Sequence, residues 1–292
     1  MTRHTVALAF APALVFMLAE RSYQAASLEE KVALVTVVAE AGSSIRDLKA
    51  ADFVVKEDGK KREVLDAKLA NDPLSVALLI DTSRSPTGAA QSPQDLRNAS
   101  MAFVKAIHAV NPDASIALLL CGGSTVTTID FMSKAGELDE ALSRLYPDQQ
   151  SNAVLLEALR DAGKMLARRA GPRRAVVSID FNSSEGSNDR MMQEAADSVT
   201  NSGATFWAVS IRGSGSTSPN REEVLNKMTK ASGGRRFSSV ASSGLDGNLK
   251  KVAASLTSQY VVTFARPGDG SVKATTIETA GGAKVLPTPF MR

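Results

Sequence analysis

Asp81, Ser83 and Ser85 place three oxygen-bearing side chains at alternate positions directly after the apolar run LSVALLI. Oxygens of this kind suit a hard divalent cation, which takes carboxylate, hydroxyl and water ligands in near-octahedral geometry. A turn leaving a strand can aim side chains i, i+2 and i+4 at one point. A carboxylate that ends an apolar strand must be solvated, capped or coordinated. A structural reading competes: Asp81 accepts backbone hydrogen bonds at the entry to the next helix, and Ser83 and Ser85 serve the turn. Hydrolysis with Asp81 as nucleophile is disfavoured, because a DxD arrangement needs a second aspartate where Ser83 stands.

Few other residues compete for a chemical role. With only His4, His108 and Cys121, the chain has no Cys/His zinc site, no internal disulfide and no material for most histidine-dependent triads. Cys121 closes the apolar run SIALLLC and reads as a small buried hydrophobe. The run from Gly213 to Ser218 follows a strand, but Ser218 replaces the third glycine of a dinucleotide fingerprint, so a Gly/Ser connecting loop is the plainer reading. No GxxxxGK[ST] phosphate loop is present. Arg168, Arg169, Arg173 and Arg174 flank Gly171-Pro172 at a helix end, where solvation and capping account for them. His108 reads as a core or boundary residue and Trp207 as packing within a sheet. Asp130, Asp139, Glu140, Asp148 and Glu157 lack the paired spacing of hydrolytic carboxylates. A net charge of 34 − 31 = +3 is too balanced for a protein that coats nucleic acid.

The elements that must position Asp81, Ser83 and Ser85 follow from hydrophobic patterning. LSVALLI is apolar throughout, as a strand covered on both faces must be. Ser92-Pro93 then marks a helix start, with Leu96, Ala99, Phe103, Ile107 and Val110 at helical spacing. SIALLLCG and TVTTIDF make two strands joined at Gly122-Gly123, followed by helices near 134–145 and 152–168. Strands RAVVSID, TFWAVSI and RRFSSV then alternate with helices near 188–202, 220–231 and 243–258. This alternation predicts a doubly wound α/β domain with a mainly parallel sheet and helices on both faces. In such sheets ligands sit at the carboxyl ends of the strands where the strand order reverses, which directs attention to the loop after LSVALLI.

The flanks differ. Residues 27–72 and 259–292 hold short β runs and turn signals, among them Glu57-Asp58-Gly59-Lys60 and the Gly-Asp-Gly at 268–270. Neither stretch is long enough to bury a core alone, so the two are expected to meet as one small β module beside the α/β domain of residues 73–258. Residues 1–26 carry Arg3 and His4 and then fourteen uncharged residues, Val6 to Ala19. A spanning helix needs roughly 20 apolar residues, so the segment reads as an export signal, with an uncleaved N-terminal anchor as the alternative. The expected location is periplasmic or extracellular, with membrane contact only through that segment.

At Asp81, Ser83 and Ser85 the chain resembles the von Willebrand factor type A domain family, whose metal-ion-dependent adhesion site begins with DxSxS after its first strand. The resemblance runs from about Leu74 to Gln259. LKAADFVVKEDGKKREV ahead of LSVALLIDTS, and QYVVTF near the end, resemble the bacterial "VWFA-related" group known mainly from acidobacteria. The resemblance implies that Asp81, Ser83 and Ser85 form the first part of a magnesium site, with manganese or calcium as substitutes, and that Asp180, ending the fourth strand, joins them. It also implies a non-enzymatic binding module, in which a partner protein supplies an Asp or Glu carboxylate to the ion. The family's threonine falls at Ala153, which cannot ligate; Ser151 and Asn152 lie one or two residues away. The fourth strand also runs into Phe181-Asn182 where the family has glycine. The alternative is a scaffold of the same fold with a decayed site, which binds partners through its β module or sheet edges.

Overall fold

The computed structural model describes residues 28–39, 43, 45–84, 92–148, 150–181, 183–212, 218–268 and 271–292. The expected export segment, Ser85, residues 213–217 of the Gly/Ser loop and residues 269–270 of the Gly-Asp-Gly turn lie outside the described residues.

The chain enters through β1 (Leu28–Val38), β2 (Phe53–Glu57), β3 (Lys60–Arg62) and β4 (Val64–Leu69). Between β2 and β3, Asp58 and Gly59 take φ values of 48° and 80°, the left-handed pair that a two-residue hairpin turn requires. The central body follows. It contains β5 (Leu74–Ile80), α1 (Pro93–Val110), β6 (Ser115–Gly122), β7 (Ser124–Met132), α2 (Ala135–Ser143), α3 (Leu155–Ala167) and β8 (Arg173–Phe181). It continues with α4 (Arg190–Asn201), β9 (Thr205–Ile211), α5 (Pro219–Ser232), β10 (Arg236–Ser239) and α6 (Leu245–Leu256). Strands β11 (Gln259–Pro267), β12 (Thr275–Thr279) and β13 (Lys284–Met291) close the described chain.

The central body is built on a six-stranded sheet in the order β10-β9-β8-β5-β6-β7, parallel except for the β6–β7 hairpin. Strand β5 lies in the middle, and all seven of its residues are buried because successive side chains enter two different cores. Val76, Leu78 and Ile80 pack with α1, α2 and α6, whereas Ala77 and Leu79 pack with α3, α4 and α5. Burying each such Leu or Val stabilises the fold by about 1.5–3 kcal/mol before entropy is counted. The second core accepts close helix approach: a Cβ at Gly163 of α3 would stand 2.5 Å from the Ser198 backbone of α4. Helix α1 begins as its sequence indicates, with the Ser92 hydroxyl accepting the Asp95 amide at 3.2 Å. Its apolar stripe ends one turn earlier than the spacing predicts, since Val110 is exposed.

Strands from both flanks pair with one another. One antiparallel sheet has the order β13-β1-β11-β4 and another the order β12-β2-β3. They share a core of Val35, Val37, Phe53, Val55, Val262 and Phe264. Glu57 of β2, fully buried, ties the two sheets by accepting from Arg62 at 2.9 Å and from Arg266 of β11 at 2.7 Å.

Arg173 and Arg174 depart from the solvated reading of the basic cluster, which holds for Arg168, exposed at the end of α3. Arg173 is 1% exposed at the first position of β8. Its guanidinium donates to the carbonyls of Ala70 (3.1 Å), Asp72 (2.8 Å) and Leu256 (2.7 Å) and to Gln259 Oε1 at 3.3 Å. Arg174 donates to the carbonyls of Ser202 and Arg169. These arginines therefore satisfy carbonyls at chain connections, and Arg173 fastens the central sheet to the chain where β4 leaves and β11 enters the flanking sheet. Among the described residues no helix is long and apolar enough to cross a membrane.

Candidate functional site

The order β8-β5-β6 places the end of β5 where the chain's connections diverge to opposite sides, the position at which sheets of this kind bind ligands. Three segments meet there: residues 81–84 after β5, residues 151–154 before α3 and residues 183–187 after β8. Backbone hydrogen bonds fix them to each other. The Asp81 amide donates to the Ile179 carbonyl at 2.9 Å, which carries the β5–β8 ladder one residue beyond β5. The Arg84 amide donates to Ser151 O (3.0 Å), the Ala153 amide to Ser184 O (2.9 Å), and the Gly186 amide to Ala153 O (2.6 Å). At Gly122 a Cβ would lie 2.6 Å from Thr82 Oγ1 and 3.1 Å from the Ser83 nitrogen, so glycine there lets the first segment sit down on β6.

Asp81 and Ser83 are brought together. Both are fully buried. Asp81 Oδ1 accepts from the Ser83 amide at 2.9 Å and from the Ser83 hydroxyl at 2.5 Å, and Oδ2 accepts from the Phe181 amide at 3.2 Å. Asp180 lies level with Asp81 by strand register, and its Oδ2 accepts from Ser210 of β9 at 2.8 Å. Arg236 holds that serine at 2.9 Å and grips Glu222 with two bonds of 2.6 and 2.7 Å. Ala153 is buried between Gly122 and Glu185, so the position where the family has threonine presents a methyl group. Ser151 has a buried hydroxyl with no hydrogen-bond partner among the described residues, whereas Asn152 is exposed.

Two charged residues of the site were not singled out from sequence. The Glu185 side chain is 4% exposed; Oε1 accepts from the Ser187 hydroxyl at 2.7 Å, and Oε2 has no hydrogen-bond partner among the described residues. Arg221, in the first turn of α5, is 1% exposed and donates from Nη2 to the carbonyls of Phe181 (3.0 Å) and Ser183 (2.7 Å). Its Nη1 stands 3.8 Å from Glu185 Oε2, close enough for charge attraction and too far for a hydrogen bond. The sequence does carry a signal for Arg221. It precedes Val224, Leu225 and Met228 by three, four and seven residues, and so lies on the buried stripe of α5. Glu185, in an irregular loop, has no such periodicity to reveal it.

Burial dominates the electrostatics. It raises the carboxyls of Asp81 and Glu185 above their ordinary values and pushes Asp180 up to about 6. Hydrogen bonds and the positive charge of Arg221 oppose the rise at all three. Burial, reinforced by these acids, also drives the Cys121 thiol well up, which keeps it protonated and unreactive. Desolvated carboxylates with raised values favour a nearby cation, because it stabilises their charged forms. In kind the donors fit a hard ion: they are all oxygens, and the hydroxyls of Ser151 and Ser183 and Glu185 Oε2 are buried without hydrogen-bond partners among the described residues.

A family model described as von Willebrand factor type A domain matches residues 76–182. No curated protein matches the sequence. Among solved structures, a von Willebrand factor type A protein from Catenulispora acidiphila is similar over 90% of this chain and 73% of its own, with a TM-score of 0.50 and 13% identity. Proximal thread matrix protein 1 from the mussel byssus is similar over 69% of this chain, with a TM-score of 0.52 and 13% identity. The alignment spans only 50% of that mussel protein. At such identities the structural likeness concerns the fold, and the sequence match covers residues 76–182. Together they show that the α/β body of this chain has a von Willebrand factor type A-like fold.

Proposed function

We propose that the chain is an exported, non-enzymatic protein-binding module that recognises an acidic side chain of a partner through a cation held at the end of β5. Asp81, Ser83, Ser85 and Asp180 would hold magnesium, with manganese or calcium as substitutes. The observation that carries this reading is the hydrogen-bonded pair of Asp81 and Ser83, buried at the switch point and surrounded by further oxygens. A bound divalent ion would offer an open coordination position to a partner's Asp or Glu. The chain's own residues do the rest: Asp81 orients the Ser83 hydroxyl, and Gly122 and the 151–154 segment set the height of the loop. Interaction is the general role of von Willebrand factor type A domains, and the mussel protein of similar fold is a matrix protein.

The test is capture of envelope or secreted partners on the immobilised protein, in magnesium and then in chelator. Equal recovery in both would sink the ion-bridged reading. Asp81→Ala should abolish capture while the domain still unfolds cooperatively. A second reading, a scaffold with a decayed site, is favoured by the methyl group of Ala153 where an oxygen is needed. It predicts that magnesium and chelator leave the melting temperature unchanged, because a ligand that binds only the native state must raise it.

A further inference from the structure

The guanidinium of Arg221 lies against the segment that follows Asp180, one of the residues proposed to hold the ion, and few of its donors are bonded there. Both of its hydrogen bonds come from Nη2. Nε and Nη1 are buried without hydrogen-bond partners among the described residues, and so is the nearest carboxylate oxygen, Glu185 Oε2. The Phe181 peptide links the two halves of the site: its amide donates to Asp81, and its carbonyl accepts from Arg221. A buried cation normally fills its donor positions, because an unpaired donor has lost its water without gaining a partner. An arginine held by one nitrogen beside an unpaired carboxylate is positioned by charge more than by hydrogen bonding.

We propose that Arg221 is an internal counter-cation that stands in for the divalent ion, so that the site is partly neutralised without metal and takes up metal only as the guanidinium is displaced. This rests on the cation-site reading above and adds its regulation. The competition is between one positive charge tethered to α5 and one free in solution. Ion affinity is therefore reduced by the fraction of molecules in which Arg221 occupies the site. Glu185 is the carboxylate that changes partner, since its Oε2 faces the guanidinium without being bonded to it.

The test is titration of the full chain with magnesium and with manganese by calorimetry, for the wild type, Arg221→Gln and Arg221→Lys, with melting curves in ion and in chelator. Glutamine keeps a donor for the Phe181 and Ser183 carbonyls but removes the charge. Arg221→Gln should bind manganese about tenfold or more tighter than the wild type, as expected when a dominant competing state is removed. It should also melt lower in chelator and recover in ion. Arg221→Lys, which keeps a positive charge, should stay close to the wild type. Equal affinity in the wild type and Arg221→Gln would overturn the competition while leaving the cation site intact. Absence of binding in all three would overturn the cation site and this inference with it. If Arg221→Gln does not fold, Glu185→Gln replaces it: it should weaken ion binding while leaving the melting temperature in chelator close to that of the wild type, and ion affinity equal to the wild type's would overturn the inference.

Discussion

Two arginines are buried to the same degree at opposite ends of β8, and their surroundings differ in kind. Arg173, at the amino end, meets only neutral oxygens and has a partner for Nε, Nη1 and Nη2. Its pKa falls to about 10 because burial is not offset by a bonded carboxylate. Arg221, at the carboxyl end, lies near three acids, and its Nε and Nη1 have no hydrogen-bond partner among the described residues. The first is a fastening that tolerates no substitute, since its directional donors match particular carbonyls. The second supplies charge to a cluster, and charge can be supplied by something else.

This contrast can be broken most forcefully at Arg173. Arg173→Met should cost at least about 3 kcal/mol in urea unfolding, because several buried carbonyls lose their donor at once; no divalent ion should restore it. Arg221→Gln should cost about 2–3 kcal/mol in chelator, and an ion at a hundred times its dissociation constant should return about 2.7 kcal/mol. If ion rescued Arg173→Met, or failed to rescue Arg221→Gln, the distinction between fastening and charge would collapse.

Glu222 sharpens the comparison as a third case. Burial acts to raise its carboxyl, yet the hydrogen bonds and charge of Arg236, with Arg212 and Arg221 behind them, bring it below 4.5. A lowered value means that the pair's stabilisation is complete above pH 4.5 and is lost as the pH falls through the folded-state value. Glu222→Gln should cost about 1 kcal/mol at pH 7, the pair being partly open to solvent, and should flatten that acid limb of the stability curve. At Gly122 an added methyl would stand 2.6 Å from the Thr82 hydroxyl and 3.0 Å from the Thr82 backbone, so Gly122→Ala should lose about 1 kcal/mol as the segment after β5 gives way, while weakening partner capture.

The sequence disclosed what is periodic or sharply spaced. The unbroken apolar run of β5 has to be covered twice, and the helical spacing of Leu96, Ala99, Phe103 and Ile107 has to face a sheet; both packings are observed. Asp81 and Ser83 were legible because their spacing coincides with the end of that strand. Asp180 was placed correctly on β8, but its bond to Ser210 depends on β9 lying alongside, which no local pattern states. Arg173 was concealed in a run of four arginines whose composition alone suggests solvent. Glu185 and Arg221 come together only through the packing of α5 against the loop after β8, a contact between residues 36 positions apart in the chain.

The pairing of the flanks also determines how the molecule meets tension. Val32 and Arg292 exchange backbone hydrogen bonds of 2.7 and 2.9 Å, and from there β13 runs antiparallel along β1 to the Val38–Lys284 pair. Pulling outward on Leu28 and Arg292 therefore loads these bonds one after another, as in a zip, rather than all together in shear. The outer ribbon should peel at low force, while β5, secured on both sides by parallel neighbours, keeps the geometry around Asp81 intact.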